Sequence, residues 1–351
     1  MTDVTETTTD PAATRGALVP LLFGFFPTQV LHVAATLRLA DRVAGGARTV
    51  DDLADETGTH GPSLARVLRA LACFGVLEQV GPDTFALGPH GAGLLTDGPA
   101  SLRHLVLLFA GDEVWRSWGE LGETVRTGDP AWERITGASS FEHLSRHPEM
   151  QANFNRAMAE GTRNAAPGVA AAGGFERFGW VADLGGGDGT LLAAVLAAHP
   201  HLRGTVVDTP AGLAQAPDVL AGAGVSDRAE AEVGDFFAAV AAGPDAYLIK
   251  SVIHDWDDER ATTILRNVAA ALGPDGTVLI VEPVVPDEPT VSTDVLMMVM
   301  SDLNMLVCTG GKERTEAEFR ALLDGAGLRL RSVTPVPGPT NFSVIEAGPA
   351  A

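Results

Sequence analysis

Apolar side chains follow two different periods along this chain. In the N-terminal part they recur at three- and four-residue steps, as at Leu31, Ala34, Ala35 and Leu39, which is typical of amphipathic helices. After residue 178, short apolar runs alternate with helical segments, which is typical of a parallel sheet with crossover helices. The pattern predicts a helical N-terminal part followed by an α/β domain.

The N-terminal part contains the elements of a winged helix. Helices are predicted over residues 50–56 and 62–72, since each has an apolar face and ends near a glycine. A hairpin is predicted over residues 76–80 and 84–87, around the turn Gly81-Pro82-Asp83. Two helices followed by a hairpin make a winged helix.

The pattern also suggests how the chain divides. The apolar helical run of residues 17–43 predicts either a buried helix or a subunit interface. We expect a disordered acidic tail over residues 1–15, a winged-helix-like dimerisation domain over 16–98, and helices that roof a substrate site over 99–165. Residues 166–351 are expected to form the α/β domain.

The charge of the chain argues against DNA as a partner of the winged helix. Lys and Arg number 24 against 45 Asp and Glu, giving a net charge of −21. Through residue 100 there are six cationic side chains against eleven carboxylates, the reverse of what a groove-reading domain normally shows. We expect neither nucleic acid nor an anionic membrane surface as a partner.

Targeting and cysteine signals are consistent with a cytoplasmic protein. Cys73 and Cys308 are the only cysteines and lie far apart in sequence, so no disulfide framework or cysteine zinc site is expected. The acidic N-terminus lacks the basic region of a signal peptide. Pro20, Gly24 and Pro27 interrupt the apolar run, which is short for a membrane span.

The α/β domain opens on a strand, a glycine turn and a helix. Asp183 lies in the strand, and glycines follow at positions 185, 187 and 189. Glycine lets a nucleoside lie against the turn because no Cβ intervenes. The spacing differs from the G-x-G-x-x-G of dinucleotide sites, and Asp188 in the turn would repel a pyrophosphate.

Further polar side chains follow successive predicted strands. Asp208 ends the second strand, where a carboxylate would accept both ribose hydroxyls. Asp235 follows the third strand and could accept from an adenine amino group, with Phe236 beside the ring. Lys250 lies within the fourth strand, predicted over residues 246–253. Ligands bind beyond the carboxyl ends of such strands. We therefore expect these residues to form one ligand site.

A histidine follows the fourth strand. His254 falls where the sheet would open onto the ligand, and Glu282 and Glu313 could flank it. A carboxylate on one imidazole nitrogen fixes the tautomer and leaves the other nitrogen free to take a proton. The sequence therefore predicts a general base, and no metal site, since the residues after His254 lack a recognised ligand spacing.

Taken together, these segments resemble a known family. The matching motifs are residues 183–189, Gly234-Asp235-Phe236-Phe237, residues 250–256, Glu282-Pro283 and Gly310-Gly311-Lys312-Glu313-Arg314-Thr315. They are similar to the motifs of small-molecule O-methyltransferases of the plant caffeic-acid type and of bacterial members that modify aromatic natural products. The resemblance implies a Rossmann-like class I methyltransferase sheet, a homodimer, and S-adenosylmethionine as cofactor with S-adenosylhomocysteine as product.

The resemblance also implies roles for individual residues. The cofactor-binding set is Asp183, Gly185, Gly187, Asp208, Gly234, Asp235, Phe236 and Lys250. His254 is the implied base, flanked by Glu282 and Glu313, and the substrate is a hydroxylated aromatic or polyketide-like small molecule. We assign Phe154, Asn155, Met158, Asp255 and Met305 to substrate binding. An aliphatic-rich sequence replaces much of the aromatic pocket of the plant members, so plant substrates do not carry over.

Two other functions remain open on the sequence alone. A nicotinamide-dependent oxidoreductase would use the same α/β fold. A ligand-sensing regulator would use the winged helix to bind DNA, which the acidic charge opposes.

Overall fold

The computed structural model of the chain describes residues 10–350, so most of the predicted tail lies outside the described residues. The chain divides into two compact units, Met1–Gly111 and Asp112–Ala351. This division falls inside the segment 99–165 that the sequence set apart. Its first helix therefore belongs to the first unit and its later helices to the second.

The first unit is a small helical domain with a three-stranded sheet. Its helices are α1 (Pro11–Leu22), α2 (Phe25–Thr36), α3 (Leu39–Ala44), α4 (Val50–Thr57), α5 (Gly61–Cys73) and α6 (Arg103–Phe109), and its strands are β1 (Arg48–Thr49), β2 (Leu77–Gly81) and β3 (Thr84–Leu87). The strand order is β1-β3-β2. The winged helix predicted from the sequence is therefore present.

Local sequence explains where these elements begin and end. Thr49 accepts from the backbone N–H of Asp52, and the Asp52 side chain accepts from the Thr49 N–H, which is the capping box that starts a helix. Gly58 ends α4 with φ of +64°, a conformation that glycine adopts without strain.

The N-terminus departs from the predicted disordered tail. Residues 11–15 lie in α1, because Asp10 accepts from the Ala12 N–H at 3.0 Å and Pro11 stands in the first turn. The helical run breaks at Gly24, between α1 and α2, whereas Pro20 is accommodated inside α1.

The stretch Pro11–Thr36 has the length and composition of a helix able to cross a membrane, with 26 residues and a mean hydropathy of 1.6. Only 6% of its most apolar window is buried. Its exposed large side chains are Leu18, Val19, Leu21, Leu22, Phe23, Phe25, Phe26 and Val33. So large an apolar surface marks a place where another molecule binds.

The second unit is an α/β domain with a helical layer at its start. Its helices are α7 (Asp112–Gly119), α8 (Leu121–Thr127), α9 (Ala131–Thr136), α10 (Ser140–Arg146), α11 (Pro148–Ala172), α12 (Thr190–Ala198), α13 (Ala216–Gly222), α14 (Asp258–Ala271), α15 (Thr293–Cys308) and α16 (Glu316–Gly325). Its strands are β4 (Trp180–Leu184), β5 (Arg203–Asp208), β6 (Ala229–Val233), β7 (Ala246–Lys250), β8 (Thr277–Pro283), β9 (Leu328–Pro335) and β10 (Phe342–Pro349).

These strands form one mixed sheet of seven, in the order β6-β5-β4-β7-β8-β10-β9. Strands β4 to β8 are parallel, and β10 is antiparallel to both β8 and β9. The order runs outward in both directions from the pair β4 and β7. In open α/β sheets such a switch point forms a ligand crevice at the carboxyl ends of the two strands. The glycine turn follows β4 and His254 follows β7, so both meet at this crevice.

The predicted fourth strand is shorter than expected. It ends at Lys250, and the next residue, Ser251, has φ of +52°, an uncommon conformation for a residue other than glycine. Val252 and Ile253 are apolar, as in a strand, yet they lie buried in the turn that follows. The turn carries His254 out of the sheet and towards the crevice.

Candidate active site

The glycine turn after β4 offers a surface with no side chains. Gly185, Gly187 and Gly189 have φ values of +70°, +56° and +76°, which glycine alone adopts readily. A Cβ at Gly185 would lie 2.7 Å from Val252 Cγ2 and 3.5 Å from Phe236 Cε1. A Cβ at Gly187 would meet nothing within 4 Å. The turn therefore exposes bare backbone beside an aromatic ring.

Asp183 lies beneath this turn with only 1% of its surface exposed. Desolvation by burial raises the pKa of its carboxyl to about 7, although the nearby Lys250 ammonium lowers it. Its Oδ2 is buried and has no hydrogen-bond partner within the described residues. Buried polar atoms are normally paired, so this oxygen fits a bound ligand that carries a cationic N–H donor.

Asp208 is hydrogen-bonded to the same turn. Its Oδ2 accepts from the Gly187 backbone N–H at 2.9 Å, and its Oδ1 accepts from the Thr209 N–H at 2.6 Å. A Cβ at Gly212 would lie 2.2 Å from Oδ1, so the loop after β5 closes around the carboxylate. The carboxylate predicted to bind ribose is thus held at the glycine turn.

The segment after β6 lies at the same edge. The Gly234 N–H donates to the Asp208 carbonyl at 3.0 Å. Asp235 is exposed and its Oδ1 accepts from the Phe237 N–H at 2.9 Å. Phe236 packs against the β7 side of the sheet beside Gly185. All of the residues predicted to hold the nucleoside therefore lie along one edge.

Lys250 links the cofactor side of the crevice to the histidine side. Burial lowers the pKa of its ammonium to about 8, while the carboxylates of Asp183 and Glu282 raise it. The ammonium donates to Ser251 Oγ at 3.1 Å and lies 4.7 Å from the centre of the Phe342 ring. The charges of two buried carboxylates, on either side of the crevice, therefore act on Lys250.

His254 and Glu313 form a buried pair. Nδ1 of His254 lies 2.8 Å from Glu313 Oε1, and the side chains are 12% and 0% exposed. Because an ionised carboxylate can only accept, Nδ1 donates to it, which leaves Nε2 as the nitrogen that exchanges a proton. Asp255 Oδ1 lies 4.0 Å from that Nε2.

Opposing effects act on the basicity of His254. Desolvation lowers its pKa, but the charge of Glu313 and its hydrogen bond outweigh this, and Asp255 and Glu282 add to the rise. The result is a pKa of about 10. His254 is therefore a much stronger base than a free imidazole, whose pKa is about 6.5.

Glu282 differs from its predicted place beside the imidazole ring. Its Oε1 accepts from the backbone N–H groups of Val252 and His254, at 3.2 and 3.1 Å. The carboxylate is fully buried at the end of β8, and burial raises its pKa. Glu282 therefore braces the turn that carries His254 and reaches the ring only through its charge.

The segment 310–315, which we call the clasp, closes on the same turn. A Cβ at Gly311 would lie 2.0 Å from the His254 carbonyl oxygen, so only glycine lets the two backbones approach. Gly310 has φ of +78°. This close approach brings Glu313, two residues further on, to the imidazole.

Arg314 of the clasp has a role that sequence reasoning missed. Its guanidinium is fully buried and donates to the carbonyls of Ile253 and Trp256 at 3.1 and 2.9 Å, and to Asp258 at 2.9 Å. A planar guanidinium suits such a fork of acceptors. The sequence shows that this arginine belongs to the motif, but it does not show which backbone carbonyls accept its hydrogen bonds.

The helix α11 carries the residues that the sequence assigned to a roof over the substrate, and these residues make different contacts. Asn155 donates to the Ala211 carbonyl at 2.8 Å and accepts from Gln151 at 2.8 Å. Its amide therefore joins α11 to the loop after β5. Met158 is half-buried on the same helix.

Phe154 belongs to a row of contacting aromatic rings that connects α11 to the sheet. It packs edge-on against Phe141, whose ring stacks on Trp256 at 5.1 Å between centres. Trp256 in turn packs edge-on against Phe237, 4.8 Å away. The Arg260 guanidinium covers both of these last rings, at 4.3 and 4.4 Å.

The helix α15 forms another wall of the second unit. Met305 is buried with 9% exposure, and Asn304 Oδ1 accepts from Trp118 Nε1 at 3.1 Å. Val307 and Cys308 pack with Val114 and Trp132 of α7 and α9. The helix is thus held against the helical layer.

The residues present fit a cationic nucleoside cofactor. The crevice combines bare glycine backbone, an unpaired buried carboxylate oxygen at Asp183, and a carboxylate at Asp208 fixed to the turn. The carboxyl groups of Glu282 and Asp255 also lie close enough to His254 to raise its pKa. Such a site favours a positively charged group and disfavours a pyrophosphate.

Comparison with known proteins accounts for both units. A family model described as the O-methyltransferase domain matches residues 118–329. The chain belongs to this family. A second model, described as the O-methyltransferase dimerisation domain, matches residues 19–97. The O-methyltransferase thus carries the family's two domains in order.

Individual relatives resemble it over almost the whole chain. O-demethylpuromycin-O-methyltransferase of Streptomyces alboniger is 40% identical over 335 residues, covering 95% of this chain and 88% of that protein. The crystal structure of LaPhzM superposes with a TM-score of 0.91 at 38% identity, covering 97% of this chain and 100% of that one.

A third comparison concerns the cofactor. NcsB1, from neocarzinostatin biosynthesis, was crystallised with S-adenosylmethionine and 2-hydroxy-5-methyl naphthoic acid; it matches with a TM-score of 0.77 at 36% identity, covering 92% of this chain and 96% of that one. The present enzyme is an S-adenosylmethionine-dependent O-methyltransferase. The expectations for family, fold class, enzyme class and cofactor are confirmed.

Proposed function

We propose that the enzyme methylates a phenolic hydroxyl of an aromatic or polyketide-like natural product, with His254 as the general base. The observation that carries this is the 2.8 Å contact between His254 Nδ1 and the buried Glu313, which leaves Nε2 as the nitrogen that exchanges a proton. Relatives support the substrate class, since NcsB1 was crystallised with a hydroxynaphthoic acid. When bound, the cofactor supplies a methyl group on a sulfonium sulfur.

The protein's own part in this reaction is to move one proton. A phenol has a pKa near 10, like a tyrosine side chain, and His254 has a pKa of about 10. An ordinary imidazole would be weaker by about 3.5 units, or about 5 kcal/mol at 1.36 kcal/mol per unit. The buried Glu313 removes most of that mismatch. Once His254 has lost its own proton, its neutral imidazole takes the phenol proton at Nε2 as the phenol oxygen attacks.

The remaining site residues position the reactants. We propose that Asp183, Gly185, Gly187, Asp208, Gly234, Asp235, Phe236 and Lys250 hold the cofactor, on the fit described above. Asp255, 4.0 Å from His254 Nε2, lies where a second polar group of the acceptor would come. Phe154, Met158 and Met305 supply the apolar surroundings, which exclude water and align the oxygen with the methyl group.

The reaction class is tested with matched acceptors. Purified enzyme and methyl-labelled S-adenosylmethionine are incubated with a phenol panel, with the same rings carrying an amine, and with the unsubstituted rings. We expect label on the phenol oxygen only. One relative, from Streptomyces purpurascens and 36% identical over 331 residues, is named aclacinomycin 10-hydroxylase, so products are also scored by mass for added oxygen. Hydroxylated or N-methylated product alone would contradict the proposal.

The pKa of His254 gives a direct prediction. Because it is raised, the imidazolium of the ligand-free enzyme should persist through neutral pH and lose its proton only near pH 10. In Glu313→Gln the main cause of the rise is gone, so the same proton should leave at lower pH. Histidine ring NMR measures this, with the resonance of residue 254 assigned by its loss in His254→Gln. A wild-type midpoint near 6.5, unchanged in Glu313→Gln, would contradict the pairing.

We also propose that the first unit forms a homodimer through α1 and α2. The support is the dimerisation-domain match and the exposed Leu22 and Phe26, at 66% and 52%. Burying such a side chain stabilises by about 1.5–3 kcal/mol, and two-fold symmetry doubles the effect. Leu22→Asp with Phe26→Asp should therefore give a monomer by light scattering. Thr14→Asp, on the same helix, is the control; a double variant that stays dimeric would refute this interface.

A further inference from the structure

The Glu313 carboxylate receives two donors on one oxygen. Oε1 lies 2.8 Å from His254 Nδ1 and accepts from the Ser301 hydroxyl at 2.7 Å. The other oxygen, Oε2, is buried with no partner within the described residues. The orientation of the carboxylate therefore depends on the single oxygen that both donors share.

Ser301 reaches this oxygen from α15, which is a firmly placed element. The next residue, Asp302, accepts from the Glu313 backbone N–H at 2.9 Å. Consecutive residues of α15 thus hold the backbone and the side chain of Glu313. The helix is packed on the helical layer through Val307 and Cys308, so it provides a fixed reference for the carboxylate.

We propose that Ser301 is a positioning residue for methyl transfer, holding Glu313 Oε1 on His254 Nδ1 so that Nε2 keeps its direction. This rests on the proposed role of His254 as the base. Ser301 acts through Glu313, and its hydroxyl does not exchange a proton with the acceptor. The apolar sequence of α15, rich in Met and Leu, gave no sign of this hydroxyl's use.

Removal of the hydroxyl has two physical effects. Oε1 keeps one donor instead of two, so the carboxylate can turn and the imidazole loses its fixed orientation. The charge and hydrogen bond of Glu313 raise the pKa of His254, so a carboxylate that turns away raises this pKa less. The imidazolium should then lose its proton at lower pH.

The other charged groups around the pair are not themselves altered by a substitution of Ser301. They come from the turn after β7, from β8, from α15 and from the clasp: Asp255, Glu282, Asp302, Lys312 and Arg314. A shift in the pH profile of the variant is therefore due to the Ser301 hydrogen bond.

The test is Ser301→Ala, with Ser301→Thr as the matched variant that keeps a hydroxyl. We expect kcat to fall about tenfold in Ser301→Ala, the effect of losing one hydrogen bond to a charged group, with KM for acceptor and cofactor within about twofold. The acid limb of the kcat profile should move to lower pH. Ser301→Thr should restore both, whereas a change in KM alone would overturn the proposal.

A double variant separates this role from a structural one. In a Glu313→Gln background, Ser301→Ala should cost nothing further, because residues that act through one another are not additive. A full tenfold loss in that background would show that Ser301 acts elsewhere. If His254→Ala kept normal turnover, the proposed function itself would fail; if His254→Ala lost turnover and Ser301→Ala was silent, this inference alone would fail.

Discussion

Replacing His254 by alanine is expected to lower kcat about 10²- to 10⁴-fold, the usual contribution of a general base. The dissociation constant for S-adenosylmethionine should stay within about twofold, because the glycine turn follows β4 and Asp208 ends β5, whereas His254 follows β7. His254→Gln should show the same loss, since an amide keeps a hydrogen bond but does not take a proton. Labelled methyl transfer measures turnover, and calorimetry measures cofactor binding.

The control for this prediction is His201→Ala, a histidine exposed in the loop before β5. It should keep wild-type kcat. If the turnover of His254→Ala stayed within a few-fold of wild type, His254 would not be the general base. A large loss of cofactor affinity in that variant would instead show that His254 shapes the cofactor site.

Asp208→Ala is expected to have the second large effect, on cofactor binding. Its carboxylate is fixed by the Gly187 and Thr209 N–H groups at 2.9 and 2.6 Å and is proposed to accept from ribose. Hydrogen bonds to a charged group contribute about 1.5–3 kcal/mol each, so the dissociation constant should rise about 10- to 150-fold. At saturating cofactor, kcat should change only a few-fold.

Calorimetry checks this, with Asp218→Ala as the charge-matched control because Asp218 is exposed on α13. Asp218→Ala removes the same charge from the protein without touching the crevice. Equal weakening in both variants would mean that net charge, and not the ribose contact, governs affinity.

Much of the fold was predictable because its signals are local. The glycines at 185, 187 and 189 all adopt positive φ. This is predictable from the residue type, because glycine adopts positive φ without strain. The capping box at Thr49 and Asp52 is likewise a short-range pattern. Alternating apolar runs placed the strands to within a few residues.

The departures come from long-range partners. The fourth strand ends early because Glu282, on β8, accepts from the backbone of Val252 and His254. Nothing near residue 252 in sequence signals that carboxylate. The roles of Ser301 and Arg314 depend in the same way on distant groups: a carboxylate 12 positions away for Ser301, and a backbone carbonyl 61 positions away for Arg314.

Asn155 shows the same limit within the predicted roof. Position before the sheet domain predicts that this residue faces the substrate. Its amide also makes a contact that the sequence did not predict, since it donates to the Ala211 carbonyl, 56 residues further along the chain. Helical periodicity identifies which face of α11 is buried, but it does not identify the loop that covers that face.

The central claim, that His254 removes the acceptor's proton, is tested most directly by varying the acidity of the acceptor. Wild type and His254→Ala are compared on two phenols of the same shape, one with a pKa near 10 and one ionised at the assay pH. The account predicts a ratio of rates of about 10² or more for the first phenol and a ratio near one for the second. Equal ratios for both phenols would contradict it.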